Sequence, residues 1–206
     1  MPPWFHTNPL WLLLIPLLSQ ANPFLEPERI KAWVDEPRLE RFSLCYNHSC
    51  TETAIVGLSA KQWAQVERLF RPKPKGPAAE RKAIARAIGL LETLVAPLIG
   101  TQQDKALNFQ GSLAQSNQLD CIDEARNSTT YLKLMQQLGL LRFHRVRDTA
   151  TRGWFINGMP HTTAVIRERR SGLDYAVDSW FHDNGVAAEV LPVDEWSNGW
   201  HPPESP

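Results

Sequence analysis

The sequence predicts an α+β domain in which helices come first and an antiparallel sheet follows. Between residues 59 and 99, apolar side chains recur at three- and four-residue steps, the helical period. Past residue 140 the pattern changes to short β-branched and aromatic runs broken by turn residues. The change happens once instead of alternating, which separates this class from the βαβ type. At 206 residues the chain is long enough for one domain with a real core.

The first helix is expected over residues 59–70. Ser59 is a good N-cap, Gln62 completes a capping box, and Trp63, Val66, Leu69 and Phe70 mark one face. The proline-rich stretch Arg71–Pro77 ends it as a linker with solvated basic residues. Residues 78–99 form a second amphipathic helix, with Ile84, Ile88, Leu91, Val95 and Leu98 on the apolar stripe and Gly100 as its stop. A polar loop fills 101–119. The third helix runs from Cys121 to Leu138, burying Ile122, Ala125, Leu132, Met135 and Leu138, with Gly139 just beyond. Strands are expected at Leu141–Val146, Gly153–Ile156, His161–Ile166 and Tyr175–Phe181, with a turn at Ser171-Gly172. Trp154, Trp180, Trp196 and Trp200 read as core and lid packing, and His144 and His182 as surface or rim residues.

Residues 1–21 read as a signal peptide. The apolar run Leu10–Leu18 is too short to span a bilayer, which needs ~20 residues. Ser19-Gln20-Ala21 resembles a small-x-small cleavage site, although the leader's cationic end offers only His6. Cleavage after Ala21 implies a secreted or periplasmic protein with no stable membrane span. Residues 22–58 read as an irregular N-terminal arm, and 59–206 as the helical part plus the functional core. With 22 basic and 22 acidic residues, the bulk charge attracts neither nucleic acid nor an anionic membrane.

In an exported protein, the close pair Cys45 and Cys50 reads as a local disulfide and the odd Cys121 as a free thiol. His48 lies between the paired cysteines, but zinc wants four ligands and there is no second pair. Cys121 opens a helix after a polar loop. There the helix N-terminus offers unpaired N–H groups and a partial positive charge, both of which favour a thiolate and an oxyanion. The neighbouring Asp120, Asp123 and Glu124 argue against deep burial of the thiol, and their charge opposes ionisation. A thiolate nucleophile needs a base and the base an orienting group. His161 opens one expected strand and Asp178 lies on its hairpin partner. Asp183 is a rival orienting residue, because the sequence leaves the register open. Gln118 and Gln115 are oxyanion candidates by sequence proximity alone.

The stretches Leu119-Asp120-Cys121-Ile122-Asp123-Glu124, His161-Thr162-Thr163-Ala164-Val165-Ile166 and Tyr175-Ala176-Val177-Asp178-Ser179-Trp180 resemble the bacterial transglutaminase-like cysteine proteinases, over residues 118–196. The resemblance implies a transglutaminase-like, papain-like core with Cys121 as nucleophile, His161 as base and acid, and Asp178 as orienter. Where that family often has an aromatic residue after the histidine, this chain has Thr162 and Thr163. The expected function is an exported thiol-dependent acyl-transfer enzyme, an amide hydrolase or transamidase acting on protein or peptide without a cofactor. Two rivals are a non-catalytic binding or scaffold module, and a metal-binding protein using Cys121, His161 and Asp178 as ligands.

Overall fold

Two short strands come first: β1 (Phe42–Tyr46) and β2 (Glu52–Val56) pair antiparallel, with Phe42 opposite Val56 and Tyr46 opposite Glu52. This hairpin corrects the expectation of an irregular arm over 22–58. Phe42, Leu44 and Cys45 are fully buried, so β1 contributes to the core. The computed structural model describes residues 33–108, 116–153 and 160–203. The expected signal peptide, Gln115, Trp154 and the expected strand beyond Gly153 lie outside the described residues.

Helix α1 (Ala60–Arg68) starts where its cap residues satisfy each other. Ser59 Oγ accepts from the Gln62 amide, and Gln62 Oε1 accepts from the Ser59 amide at 2.9 Å. Helix α2 (Pro77–Ile99) has proline at its first position and stops at Gly100, whose φ of 82° a side-chain residue rarely adopts. Its buried stripe includes Ile84, Ile88, Leu91, Val95 and Ile99, while Leu98 is exposed, one step off the expected face. Gly89 is required by close approach. A Cβ there would lie 2.6 Å from the carbonyl oxygens of Gly185 and Val186, so only glycine admits that loop.

Helix α3 (Cys121–Gln137) is the central element. It packs against β1 on one side and, on the other, against a four-stranded antiparallel sheet. That sheet has the order β3 (His144–Arg152), β4 (His161–Glu168), β5 (Asp174–Asp178) and β6 (Glu189–Pro192). The β4–β5 ladder runs from Ala164 opposite Val177 to Arg167 opposite Asp174, where a bidentate ion pair (2.7 and 2.6 Å) joins the last two side chains. Strand β6 and the short helix α4 (Val193–Ser197) follow, neither legible from periodicity. The core joins Phe42, Trp63, Ile84, Leu91, Tyr131, Leu132, Met135 and Ile166 across helices and strands.

His144 is fully buried, a correction to its reading as a surface residue. Its Nδ1 lies 2.9 Å from Glu80 Oε1. The same carboxylate accepts from the amides of Arg142, Phe143 and His144. Burial pushes Glu80 up, but the His144 bond and the Arg142 and Phe143 amides outweigh it and hold the group below the usual range.

Candidate active site

Cys121 is the first residue of α3. Asp120 caps the helix, its Oδ1 accepting from the amides of Ile122 and Asp123 at 3.0 Å each. Asp123 Oδ2 returns the bond by accepting from the Asp120 amide at 3.3 Å. The thiol is half-buried, and the backbone amides of Thr162 and of Cys121 itself favour its ionised form. Thr162 follows His161, so the thiol sits near the start of β4.

His161 opens β4 and Asp178 closes β5. His161 Nε2 sits 2.6 Å from Asp178 Oδ2, and both side chains are almost wholly buried. The same oxygen accepts the indole N–H of Trp196 at 2.7 Å. With Nε2 donating to the carboxylate, Nδ1 is the basic nitrogen of a neutral imidazole. Nδ1 is buried and has no hydrogen-bond partner. Trp180, Phe181 and Trp196 enclose the ring at centroid distances of 4.6, 5.4 and 5.4 Å, which excludes water from it. Arg152 holds this wall. Its guanidinium lies 4.6 Å over the Trp196 ring and donates to the Trp196 and Trp200 carbonyls.

The thiol departs from the expected direction. Burial pushes Cys121 up to about 11; the Thr162 amide opposes this, and the charges of Asp120 and Asp178 add to it. The helix N-terminus therefore does not make a resting thiolate here, and the sulfur carries its proton at neutral pH. The acids around it are buried, contrary to their reading as a sign of exposure. Asp120 and Glu124 are each 5% exposed, and Asp123 is wholly buried.

Asp183 does not reach His161. Its carboxylate pairs with Lys105 Nζ at 2.7 Å and the Ala106 amide at 3.0 Å on the surface, which corrects its candidacy as orienter. Gln118 braces a loop. Its Oε1 accepts from the Lys105 amide and Asn108, and its Nε2 donates to the Gln103 carbonyl, so the amide is engaged at both ends rather than presented to an oxyanion. His182 pairs with Glu189 at 2.8 Å, half-buried at the rim. Cys45 and Cys50 form a disulfide. Among the described residues, Cys45, Cys50 and Asp123 are the one group of three possible metal donors within 4.8 Å of one another, and the disulfide occupies two of them. Cys121, His161 and Asp178 do not form such a group.

Sequence reasoning missed Trp196 as a partner of Asp178, and it missed the carboxyls near Ser179. The Ser179 hydroxyl donates to Glu124 Oε2, and Glu92 Oε2 accepts from the Gly185 amide at 3.1 Å. Glu92 Oε1 is buried without a partner. Burial lifts Glu92 and Asp104 to about 7 each. Burial, then the charges of Glu92 and Asp104, lift Glu124 well above the usual range. One signal was available, since Glu92 stands four residues after Ile88 on the apolar stripe of α2. Comparison with family models, with curated proteins and with solved structures finds no match for this chain.

Proposed function

We propose that this chain is an exported thiol enzyme of the acyl-transfer kind, resembling the transglutaminase-like cysteine proteinases, with Cys121 as nucleophile, His161 as base and Asp178 as orienter. The observation that carries the reading is the 2.6 Å bond from His161 Nε2 to a buried Asp178, which leaves Nδ1 unpartnered beside the element that holds the thiol. A neutral thiol fits general-base attack: its proton passes to Nδ1 as sulfur adds to an amide carbonyl, and the imidazolium then returns it to the leaving amine. The resulting thioester is released to water or to another amine. Protein or peptide amides are the proposed substrates, by the resemblance. The Cys45–Cys50 bridge is compatible with an oxidising compartment, and the leader with export.

A second reading has an observation of its own. The half-buried, protonated thiol also suits a non-catalytic binding module. Iodoacetamide labelling of Cys121 across pH, in wild type and His161→Ala, separates the two. The enzyme reading expects the substitution to slow labelling at pH 7 by about a hundredfold or more, the lower end of what a general base contributes. Equal rates in both proteins remove its chemical basis and leave the binding module.

A further inference from the structure

The turn between β1 and β2 is unusual in its backbone. Four consecutive residues, Asn47, His48, Ser49 and Cys50, have φ values of 62°, 64°, 51° and 56°. None is glycine, so each holds a conformation that its side chain disfavours. Successive left-handed residues turn their amides to one side, which makes a concavity for negative charge.

Two carboxylates fill that concavity, and they flank Cys121. The Ser49 amide and hydroxyl donate to Asp120 Oδ2 at 2.8 and 3.1 Å. The Cys50 amide donates to Asp123 Oδ1 at 2.6 Å, and the His48 amide also donates to Asp123. Asn47 completes the joint, its amide donating to the Gln118 carbonyl at 3.0 Å and its Oδ1 accepting from the Asn117 amide at 2.6 Å. Further along α3, Asn127 bonds both the amide and the carbonyl of Cys45, at 2.7 and 2.9 Å.

The disulfide closes this turn from Cys45 to Cys50, a separation of five residues. Bridging so short a loop adds little to global stability, because little chain entropy is removed. Its effect is local, at the strained residues it encloses. We propose that the disulfide-closed turn Cys45–Cys50 is a positioning element for Cys121, holding the start of α3 in its reactive setting only while the bridge is intact. The inference rests on the reading of Cys121 as a nucleophile.

Opening the bridge takes two electrons and two protons from a dithiol. The sulfur–sulfur bond breaks, Cys45 and Cys50 become thiols, and the dithiol leaves as its own disulfide. The turn then relaxes toward negative φ, and its amides leave Asp120 and Asp123. The Asp120 charge, which opposes ionisation of the sulfur, is no longer balanced by the Ser49 amide and hydroxyl, and the first turn of α3 loses its anchor. Thiolate formation at Cys121 becomes harder and its geometry looser.

The test compares Cys121 labelling by iodoacetamide, read on the Cys121 peptide by mass spectrometry, in the oxidised protein and in C45S/C50S. Far-UV circular dichroism checks that both are folded. The expected result is at least about tenfold slower labelling in the variant between pH 6 and 9, the equivalent of one pKa unit. Should the variant fail to fold, the native protein reduced briefly with dithiothreitol serves instead, and reoxidation must restore the rate. Equal rates in folded protein with the bridge open overturn the proposal. His161→Ala is labelled in parallel in the oxidised state. A bridge effect without a His161 effect keeps the positioning role and removes the acyl-transfer reading, and the converse result removes the positioning role alone.

Discussion

Glu92, Asp104 and Glu124 are buried within reach of one another's charge, and Ser179 beside them follows Asp178 directly. Among the described residues no cation is paired with Glu92 or Glu124, so the folded state holds protons that the unfolded chain releases above pH ~4.5. The sign follows. A carboxyl raised in the folded state contributes stability in full below its ordinary value, and loses it as pH rises through the folded value. For Glu92 the climb from 4.5 to about 7 costs about 3 kcal/mol, at ~1.4 kcal/mol per tenfold change in proton affinity. Glu92→Gln mimics the protonated acid, keeps an acceptor for the Gly185 amide, and cannot ionise. The substitution is therefore expected to be near neutral at pH 4.5 and stabilising at pH 8. In a domain of this size, about 3 kcal/mol corresponds to a rise in Tm of about 6–12 °C. Thermal unfolding of both proteins at pH 4.5, 6 and 8 measures it. If Glu92→Gln loses as much Tm as wild type between pH 4.5 and 8, or is less stable at pH 8, the proton-holding account is wrong. Below pH ~4.5 both proteins weaken, because Glu80, Asp174 and Asp183 are held below the ordinary range and lose stabilising bonds on protonation.

Trp196→Phe keeps the aromatic wall but deletes the N–H that Asp178 accepts at 2.7 Å. A hydrogen bond to a charged group contributes about 1.5–3 kcal/mol, so the His161-dependent part of Cys121 labelling should fall by about tenfold or more, and an unchanged pH profile counts against Trp196 as a positioning residue. Glu80→Ala strands the amides of Arg142, Phe143 and His144 and the buried His144 ring. The expected loss is about 3–5 kcal/mol in a urea titration, and a loss below about 1 kcal/mol would mean that water replaces the carboxylate.

Where neighbours in sequence decide a structure, the chain could be read. The Ser59–Gln62 box, the stop at Gly100 and the start of α3 at Cys121 are all set within one helical turn, and each appears at the expected place. The β1–β2 hairpin was not legible because its turn carries no glycine. Its left-handed residues are held by a bridge and by Asp120 and Asp123, about seventy positions away. At the site, the order of Cys121, His161 and Asp178 was visible; the residues alone left Asp178 and Asp183 open, and only the resemblance favoured Asp178. That choice depends on the β4–β5 register, which places Asp178 one step past the pair Ala164–Val177, and on Lys105, which draws Asp183 to the surface. Burial of Asp120, Asp123 and Glu124 was misread because partners that bury them are remote in sequence: the Ser49 and Cys50 amides for the two aspartates and the Ser179 hydroxyl for Glu124. The state of the thiol was misread with them, since the same enclosure outweighs the helix N-terminus.

Strand β3 lies at one margin of the four-stranded sheet, with its outer backbone groups unpaired by any other strand of that sheet. Such a margin is a template for a second chain to add to. Two features of β3 oppose this. Arg145 and Arg147 are exposed along it, so an incoming copy of the same strand would bring like charges together. The register breaks between Arg147 and Ala150, which bends the strand away from a flat ladder. Strand-to-strand aggregation through this margin is thereby disfavoured by the residues that form it.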